Sequence, residues 1–133
     1  MRIASMVALC ALVLGCKEAA PKKAPAQAAE PVAAPAPPSP ASEARKLFAT
    51  RCVVCHGNQG LGDGPGGVAL DPKPRAFSNA AWQSSVDDAR LAKVIVEGGA
   101  AVKLSPGMAP NPDLQAKPDV VAELVKIVRE FGK

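Results

Sequence analysis

The pattern of apolar and polar positions predicts three helices, all in the later part of the chain. Residues 118–132 carry apolar side chains at helical spacing. Residues 86–97 carry a shorter stripe of the same spacing, and residues 40–55 place Leu47 and Phe48 on an inward face. The pattern therefore predicts three main helices.

Capping residues mark the ends of these helices. Ser39 is suited to the N-cap of the first helix and Pro40 to its first turn. Ser85, with Asp88 three residues later, is a variant of the capping box and predicts the start of the second helix. Gly98-Gly99 ends it. The apolar stripes are predicted to form the core: Leu47, Phe48, Leu91, Val94, Ile95, Val120, Val121, Leu124, Val125, Val128 and Phe131.

The N-terminus has the features of an export signal. Residues 3–14 are apolar apart from Ser5 and follow a positive start, and this stretch is too short to span a bilayer. Val13-Leu14-Gly15-Cys16 looks like the lipobox of bacterial lipoproteins. That resemblance implies that residues 1–15 are a lipoprotein signal peptide and that Cys16 is acylated. A soluble secreted protein and an uncleaved anchor are the alternatives.

Residues 16–40 are interpreted as a lipidated linker between the signal peptide and a domain at residues 41–133. Residues 17–40 contain nine Ala and seven Pro. Proline without apolar periodicity disfavours a helix, and an extended spacer of this length, at ~3.1 Å per residue, reaches at most about 75 Å. The linker would hold the domain off the periplasmic side of an inner or outer bacterial membrane, although inert spacing is the alternative.

Charge and composition narrow the classes of partner. The chain from Cys16 onwards has 15 Lys and Arg against 12 Asp and Glu, a small excess. No cluster of basic and aromatic residues suggests nucleic-acid binding. The domain has only four aromatic side chains besides its single histidine, so its core is marginal without further apolar mass. We expect a monomer whose core a buried cofactor completes.

Cys52-Val53-Val54-Cys55-His56 is the strongest chemical signal in the chain. The pattern Cys-x-x-Cys-His attaches haem c. The two thiols form thioethers to the porphyrin, and the adjacent imidazole reaches the iron from one face. His56 is the only histidine, so ligation by two histidines of one chain is excluded. The motif predicts one covalent haem c.

Three other interpretations of these cysteines compete with haem attachment. A zinc site needs about four ligands, whereas only Cys52, Cys55 and His56 follow Cys16. A thioredoxin-like dithiol follows a strand, whereas a helix is predicted before Cys52. A structural disulfide between Cys52 and Cys55 stays open, because exported proteins meet an oxidising environment.

Met108 is the candidate for the second axial position on the iron. Met1 and Met6 lie in the signal segment, so Met108 is the only thioether of the mature chain. It lies in the Pro- and Gly-containing loop 104–110, just before the last helix. A gap-filling role in the core is the alternative.

Two segments between the motif and the second helix also bear on the site. Gly57 to Gly67 contains six glycines and lacks the ending of a phosphate loop, so we expect a flexible surface loop without a nucleotide role. In the Pro-rich segment after it, a carbonyl of Pro72 or Pro74 is expected to accept a hydrogen bond from His56 Nδ1.

Arg75 and Trp82 carry side-chain N–H donors, and both are candidates for hydrogen bonds to the haem propionates. The alternatives are a solvated charge for Arg75 and ordinary packing for Trp82. The sequence does not separate these roles, because each depends on whether the side chain reaches the haem in three dimensions.

Residues 41–133 resemble the monohaem class I cytochromes c in the order of their features: helix, haem motif, Pro-rich segment 71–75, Met108 loop and terminal helix. The resemblance implies ligation by His56 and Met108, an all-α fold with three main helices packed around one haem, and electron transfer. Family members often pair a Gly on the first helix with an aromatic on the last. The corresponding residues here are Ala44 or Ala49, and Ile127 or Phe131.

Together these features predict a lipid-tethered electron carrier, not an enzyme, that exchanges electrons with a donor and an acceptor protein. A haem subunit of a redox enzyme, a sensor in which Met108 dissociates, and a non-haem structural lipoprotein are the alternatives. By the resemblance, partners would dock at the haem edge near the thioethers. Its expected rim is small or apolar, which predicts weakly salt-dependent exchange: Val53, Val54, Gly57, Ser105, Gly107 and Ala109.

Overall fold

The computed structural model describes residues 37–133. The predicted signal peptide, Cys16 and the predicted linker up to residue 36 lie outside this part. The described part contains helices and no strand, which confirms the predicted all-α class. Among its helices, none combines the length and the hydrophobicity that crossing a membrane requires. The α-helices are α1 (Pro40–Leu47), α2 (Val53–His56), α3 (Ala80–Ser85), α4 (Asp88–Ala101) and α5 (Pro118–Glu130).

The predicted first helix is continuous, but it widens before the cysteine motif. Ser39 caps α1, and its Oγ accepts a hydrogen bond from the Ser42 N–H at 3.3 Å. A π-helical turn, Phe48–Cys52, then joins α1 to α2, and the Val53 N–H bonds to the Phe48 carbonyl. Such a turn holds one residue more than an α-turn and rotates the residues after it about the helix axis. Phe48 is therefore buried in the core, whereas Cys52, Cys55 and His56 of the cysteine motif line a cavity that is described below.

The second helix begins later than the sequence predicted. Ser85 ends the short helix α3, which has too few apolar positions for periodicity to reveal it. Val86 is extended, and Asp87 is the N-cap of α4. Its Oδ1 accepts a hydrogen bond from the Arg90 N–H at 2.7 Å. The predicted capping box at Ser85 is therefore wrong, and the N-cap of this helix lies two residues later, at Asp87.

Helix α5 forms the centre of the core, and both α1 and α4 pack against it. Ala44 is wholly buried, whereas Ala49 is exposed. The Phe131 ring at the end of α5 lies 5.6 Å from the Phe48 ring. Ala44 is therefore the buried alanine of the two candidates, and Phe131 is the aromatic that contacts the first helical segment, through Phe48. The buried face of α5 consists of Val120, Val121, Leu124, Val125 and Val128.

Arg129 fastens the end of α5 to the junction between α3 and α4. Its guanidinium donates to the Gln83 carbonyl at 2.8 Å and to the Val86 carbonyl at 2.6 Å. It also pairs with Asp88 at 2.8 Å. The Asp88 side chain is mostly exposed, and exposed ion pairs contribute little to stability. The hydrogen bonds to the two carbonyls therefore do most to fix the junction.

Candidate functional site

Five predicted site residues line one cavity of about 380 Å³: Cys52, Cys55, His56, Arg75 and Met108. An adjoining cavity of about 230 Å³ shares His56 and Met108 with it. A larger groove of about 990 Å³ lies along α4 and α5, but no Cys, His or Met lines it. The residues capable of redox or metal chemistry thus meet in the two adjoining cavities, which are called the cleft below. Its inner walls are largely apolar and include Phe77, Leu91, Val94 and Ile95.

Cys52 and Cys55 are both free thiols and are not joined by a disulfide. Burial raises the pKa of Cys52 to about 11, although the nearby Arg51 charge opposes this shift. Within residues 37–133, no three His, Cys, Asp or Glu side chains converge on a point that would hold a metal ion. The geometry of the described chain therefore supports neither the disulfide nor the zinc interpretation.

The His56 imidazole is oriented by the backbone of the Pro-rich segment. Its Nδ1 lies 3.3 Å from the Arg75 carbonyl oxygen. A carbonyl only accepts hydrogen bonds, so Nδ1 carries the proton and the Nε2 lone pair is free for a metal. Burial lowers the pKa of His56, partly opposed by this hydrogen bond, and favours the neutral ring that binds iron.

The carbonyl that supports His56 is that of Arg75, so the expectation of Pro72 or Pro74 is wrong. The Pro74 carbonyl instead lies against the backbone of Gly62, where a side chain on the glycine would collide with it. Neighbouring carbonyls in an extended segment point in different directions. The choice among them is therefore made by the tertiary packing of this segment, which the sequence pattern does not reveal.

The glycine segment lies at the surface, as expected, but several of its glycines are buried against the haem motif. The N–H groups of Gly62, Gly64 and Gly66 donate to the carbonyls of His56, Cys55 and Val54 at 2.9, 3.1 and 2.8 Å. These carbonyls end α2 and have no partner within it. A Cβ on Gly64 would lie 2.5 Å from two carbonyl oxygens of the motif. Glycine is thus required for the close approach of the two segments.

Met108 reaches the cleft because its loop is fixed to the end of α4. Gly98 has φ +79° and interrupts the helix, as Gly98-Gly99 predicted. The Gly99 N–H then donates to the Met108 carbonyl at 2.9 Å. Asn111 closes the loop, because its Nδ2 donates to the Ile95 carbonyl and its backbone N–H to the Val96 carbonyl, both at 2.8 Å. Sequence reasoning missed Asn111, whose partners are remote in the chain.

Arg75 and Trp82 both line the cleft, as expected for propionate contacts. The Arg75 side chain is exposed and borders both cavities. Trp82 is half-buried and borders the smaller cavity, where it also stacks on Phe77 at 5.6 Å. Arg90 lies on the same wall and was missed, because a lone arginine on a helix is usually a surface charge. Its guanidinium donates to the Val102 carbonyl at 3.2 Å.

Phe77 was also missed as a site residue. Its ring is buried and stacks on the His56 ring with centroids 4.4 Å apart and an interplanar angle of 20°. The sequence gives no signal for this contact, since one phenylalanine after a Pro-rich segment could equally well be ordinary core.

Comparison with known proteins identifies a family. A family model described as Cytochrome c matches residues 41–129, most of the 133-residue chain. No curated protein and no solved structure matches the chain. The matched range includes every cleft residue described above. Two free thiols at the haem-attachment spacing, a neutral histidine beside them and apolar walls fit a covalently bound haem c.

Proposed function

Because the chain belongs to the cytochrome c family and binds haem c covalently, we propose that it is a monohaem class I carrier ligated by His56 and Met108. We further propose that a lipid on Cys16 tethers it to the periplasmic side of a bacterial membrane. Haem-based electron transfer is the activity of the family. The ligand pair and the tether are the finer parts of the proposal.

One observation carries the ligand assignment: His56 and Met108 border both cavities of the cleft. His56 presents a free Nε2, because the Arg75 carbonyl engages Nδ1. Met108 is held by the hydrogen bond from Gly99 to its own carbonyl. A nitrogen and a thioether that reach one cleft from separate elements suit the two axial positions of a haem iron.

The surrounding residues favour electron transfer over substrate chemistry. A bound haem c supplies a one-electron Fe(II)/Fe(III) couple. The apolar walls formed by Leu91, Val94 and Ile95 exclude water, and low polarity together with a thioether ligand favours the reduced state. With His56 and Met108 in place, no axial position is open to a substrate, so we expect a positive potential and no catalysis.

Three N–H donors at the cleft are assigned to the haem propionates: the side chains of Arg75, Trp82 and Arg90. Charge-assisted hydrogen bonds to carboxylates are among the stronger ones. Arg75 would have two roles: its side chain would bind a propionate, and its backbone carbonyl accepts the hydrogen bond from His56 Nδ1.

The tether rests on the sequence of the N-terminus. Val13-Leu14-Gly15-Cys16 resembles a lipobox, and the Ala- and Pro-rich linker comes directly after it. Two or more acyl chains give durable membrane anchoring, where a single chain is marginal. A tethered domain would meet donor and acceptor proteins at a raised effective concentration.

Optical spectra of the purified haem-loaded protein test the carrier assignment. We expect a six-coordinate low-spin ferrous form whose spectrum does not change when carbon monoxide is added. A redox titration followed in the same cuvette should give one one-electron transition at a positive potential. Rapid carbon monoxide binding by the wild-type protein would instead identify a sensor or an enzyme subunit with a dissociable Met108.

A further inference from the structure

We propose that Phe77 is a positioning residue that sets the rotational orientation of the His56 imidazole plane. The inference rests on the proposed ligation by His56. The two rings are stacked, with centroids 4.4 Å apart and planes inclined by 20°. Phe77 is buried and also lines the smaller cavity, so it occupies the wall beside the iron ligand.

The hydrogen bond to the Arg75 carbonyl does not fix the histidine plane by itself. It restrains one atom, Nδ1, at 3.3 Å. The terminal torsion of a histidine side chain is broad and has no steep minima of its own. A flat surface against the face of the imidazole supplies the missing restraint, and the Phe77 ring is such a surface. The contact and the hydrogen bond together define the plane.

Phe77 can restrain the His56 ring because its own backbone and ring are fixed by contacts with other residues. Its N–H donates to the Gly60 carbonyl at 2.6 Å, and its carbonyl accepts from Gln83 Nε2 at 2.7 Å. Its ring lies 5.6 Å from Trp82 and 5.9 Å from Phe131. Gly60 leaves room for the ring, since a Cβ there would lie 2.9 Å from it.

These contacts connect the orientation of His56 to the C-terminal helix. Gln83 Nε2 donates both to the Phe77 carbonyl and to the Val128 carbonyl of α5, the latter at 2.9 Å. Phe131, just after the end of α5, packs on the ring of Phe77. Phe77 is therefore the link between the terminal-helix core and the iron ligand.

Two-dimensional NMR of the wild-type haem-loaded protein gives the first test. In the diamagnetic ferrous state we expect nuclear Overhauser effects between ring protons of His56 and Phe77. Their absence overturns the proposal without the need for any variant. If the histidine signals show that His56 does not bind iron, the proposed ligation fails, and this inference fails with it.

The second test compares matched substitutions. Phe77→Leu removes the ring against His56, whereas Phe48→Leu removes a second buried ring of the same aromatic cluster that packs on Phe131. The pattern of unpaired electron density over a ferric low-spin haem depends on the axial ligand planes. We therefore expect the spread and order of the four haem-methyl resonances to change in Phe77→Leu and to stay close to wild type in Phe48→Leu.

The low-spin optical spectrum should persist in both variants, which separates a rotated ligand from a lost one. Unchanged haem-methyl shifts in Phe77→Leu, or equal changes in both variants, overturn the positioning role while leaving the proposed ligation intact. Phe77→Met, which keeps apolar volume without a flat face, serves in place of Phe77→Leu should the latter fail to fold.

Discussion

Two side chains from distant parts of the chain define the chemistry of the cleft. His56 is neutral because burial lowers its pKa, and its Nε2 is free because the Arg75 carbonyl engages Nδ1. Met108 is a thioether, which has no proton to lose before it binds a metal. Each residue therefore presents the atom proposed to bind iron in the required state at neutral pH.

The first prediction concerns Met108→Ala. Removing the only thioether of the described chain should open one axial position, admit carbon monoxide and lower the reduction potential. A fall of about 120 mV corresponds to a hundredfold loss of relative stability of the ferrous form, and we expect at least that. The near-infrared charge-transfer band of ferric His/Met haem should disappear.

Leu104→Ala is the control for this variant, because Leu104 is an exposed residue of the same loop. It should retain the charge-transfer band. If the band is present in the wild-type protein and survives Met108→Ala, Met108 is not the ligand.

The second prediction concerns pH. A proton competes with iron for Nε2, and an ordinary histidine takes it near pH 6.5. Since burial lowers the pKa of His56, the neutral ring persists to lower pH. We expect the low-spin spectrum of the ferric protein to stay constant from pH 8 down through the range in which an ordinary histidine takes up its proton. His56 is the only histidine, so a spectral transition centred near 6.5 would contradict the assignment.

At the scale of elements, the break in α4 makes the ligand loop possible. Gly98 adopts φ +79°, which L side chains rarely adopt. The carbonyls of Ile95 and Val96 are then without helical partners, and Asn111 supplies hydrogen bonds to both. The loop that carries Met108 is thereby closed at one end by Gly99 and at the other by Asn111.

The third prediction is that Asn111→Ala loosens this loop. Loss of the Nδ2 hydrogen bond leaves the Ile95 carbonyl without its side-chain partner, which should lower the free energy of unfolding by about 1–3 kcal/mol. Chemical denaturation followed by circular dichroism measures this. The charge-transfer band should weaken as well, because Met108 is held less firmly.

Gln115→Ala is the matched control, since it truncates an exposed amide side chain just beyond the same loop. Its unfolding free energy should stay within ~0.5 kcal/mol of wild type. Equal losses in both variants would show that the loop does not depend on the Asn111 hydrogen bond.

At the scale of the whole molecule, the mouth of the cleft differs from the rim predicted by sequence. Gly57 is buried and Val54 lines neither cavity, whereas Leu104 lines both and is 41% exposed. Three cations also line the larger cavity of the cleft: Arg51, Lys73 and Arg75. Arg51 forms an ion pair with Asp113 at 2.9 Å. The charges of Lys73 and Arg75 then leave a small net positive charge beside the apolar surface.

The fourth prediction is a modest salt dependence of electron transfer. Few charges at the cleft mouth give little long-range steering, so the rate with a redox partner should fall only a few-fold between about 0.01 and 0.15 M ionic strength. Stopped-flow absorbance measures this rate. Lys73→Gln should reduce the dependence further, whereas Lys126→Gln on α5 should not. A steep fall in rate would show that a charged face governs docking.

The fifth prediction concerns Cys16→Ser. Without its acylated residue the protein should appear in the soluble periplasmic fraction, with an unchanged haem spectrum, because the domain at residues 41–133 does not depend on the lipid. Fractionation and intact-mass analysis measure both. An unmodified N-terminus in the wild-type protein would contradict the tether.

The sequence alone determined the features that depend on local spacing. The haem motif, the Ser39 cap, the helix break at Gly98 and the apolar stripe of α5 each lie within a few consecutive residues. Helical periodicity and the chemistry of adjacent side chains act over that range. The prediction of Met108 as the second ligand came from a count, because it is the only methionine after the predicted signal peptide.

Tertiary structure decided everything that joins remote residues. The Arg75 carbonyl, not that of a proline, supports His56, and glycines of the segment 57–67 donate hydrogen bonds to the carbonyls of the haem motif. Asn111 and Phe77 acquire their roles only from partners distant in the chain. Directional contacts between separate elements depend on how those elements pack, and periodicity records only which side of each element is buried.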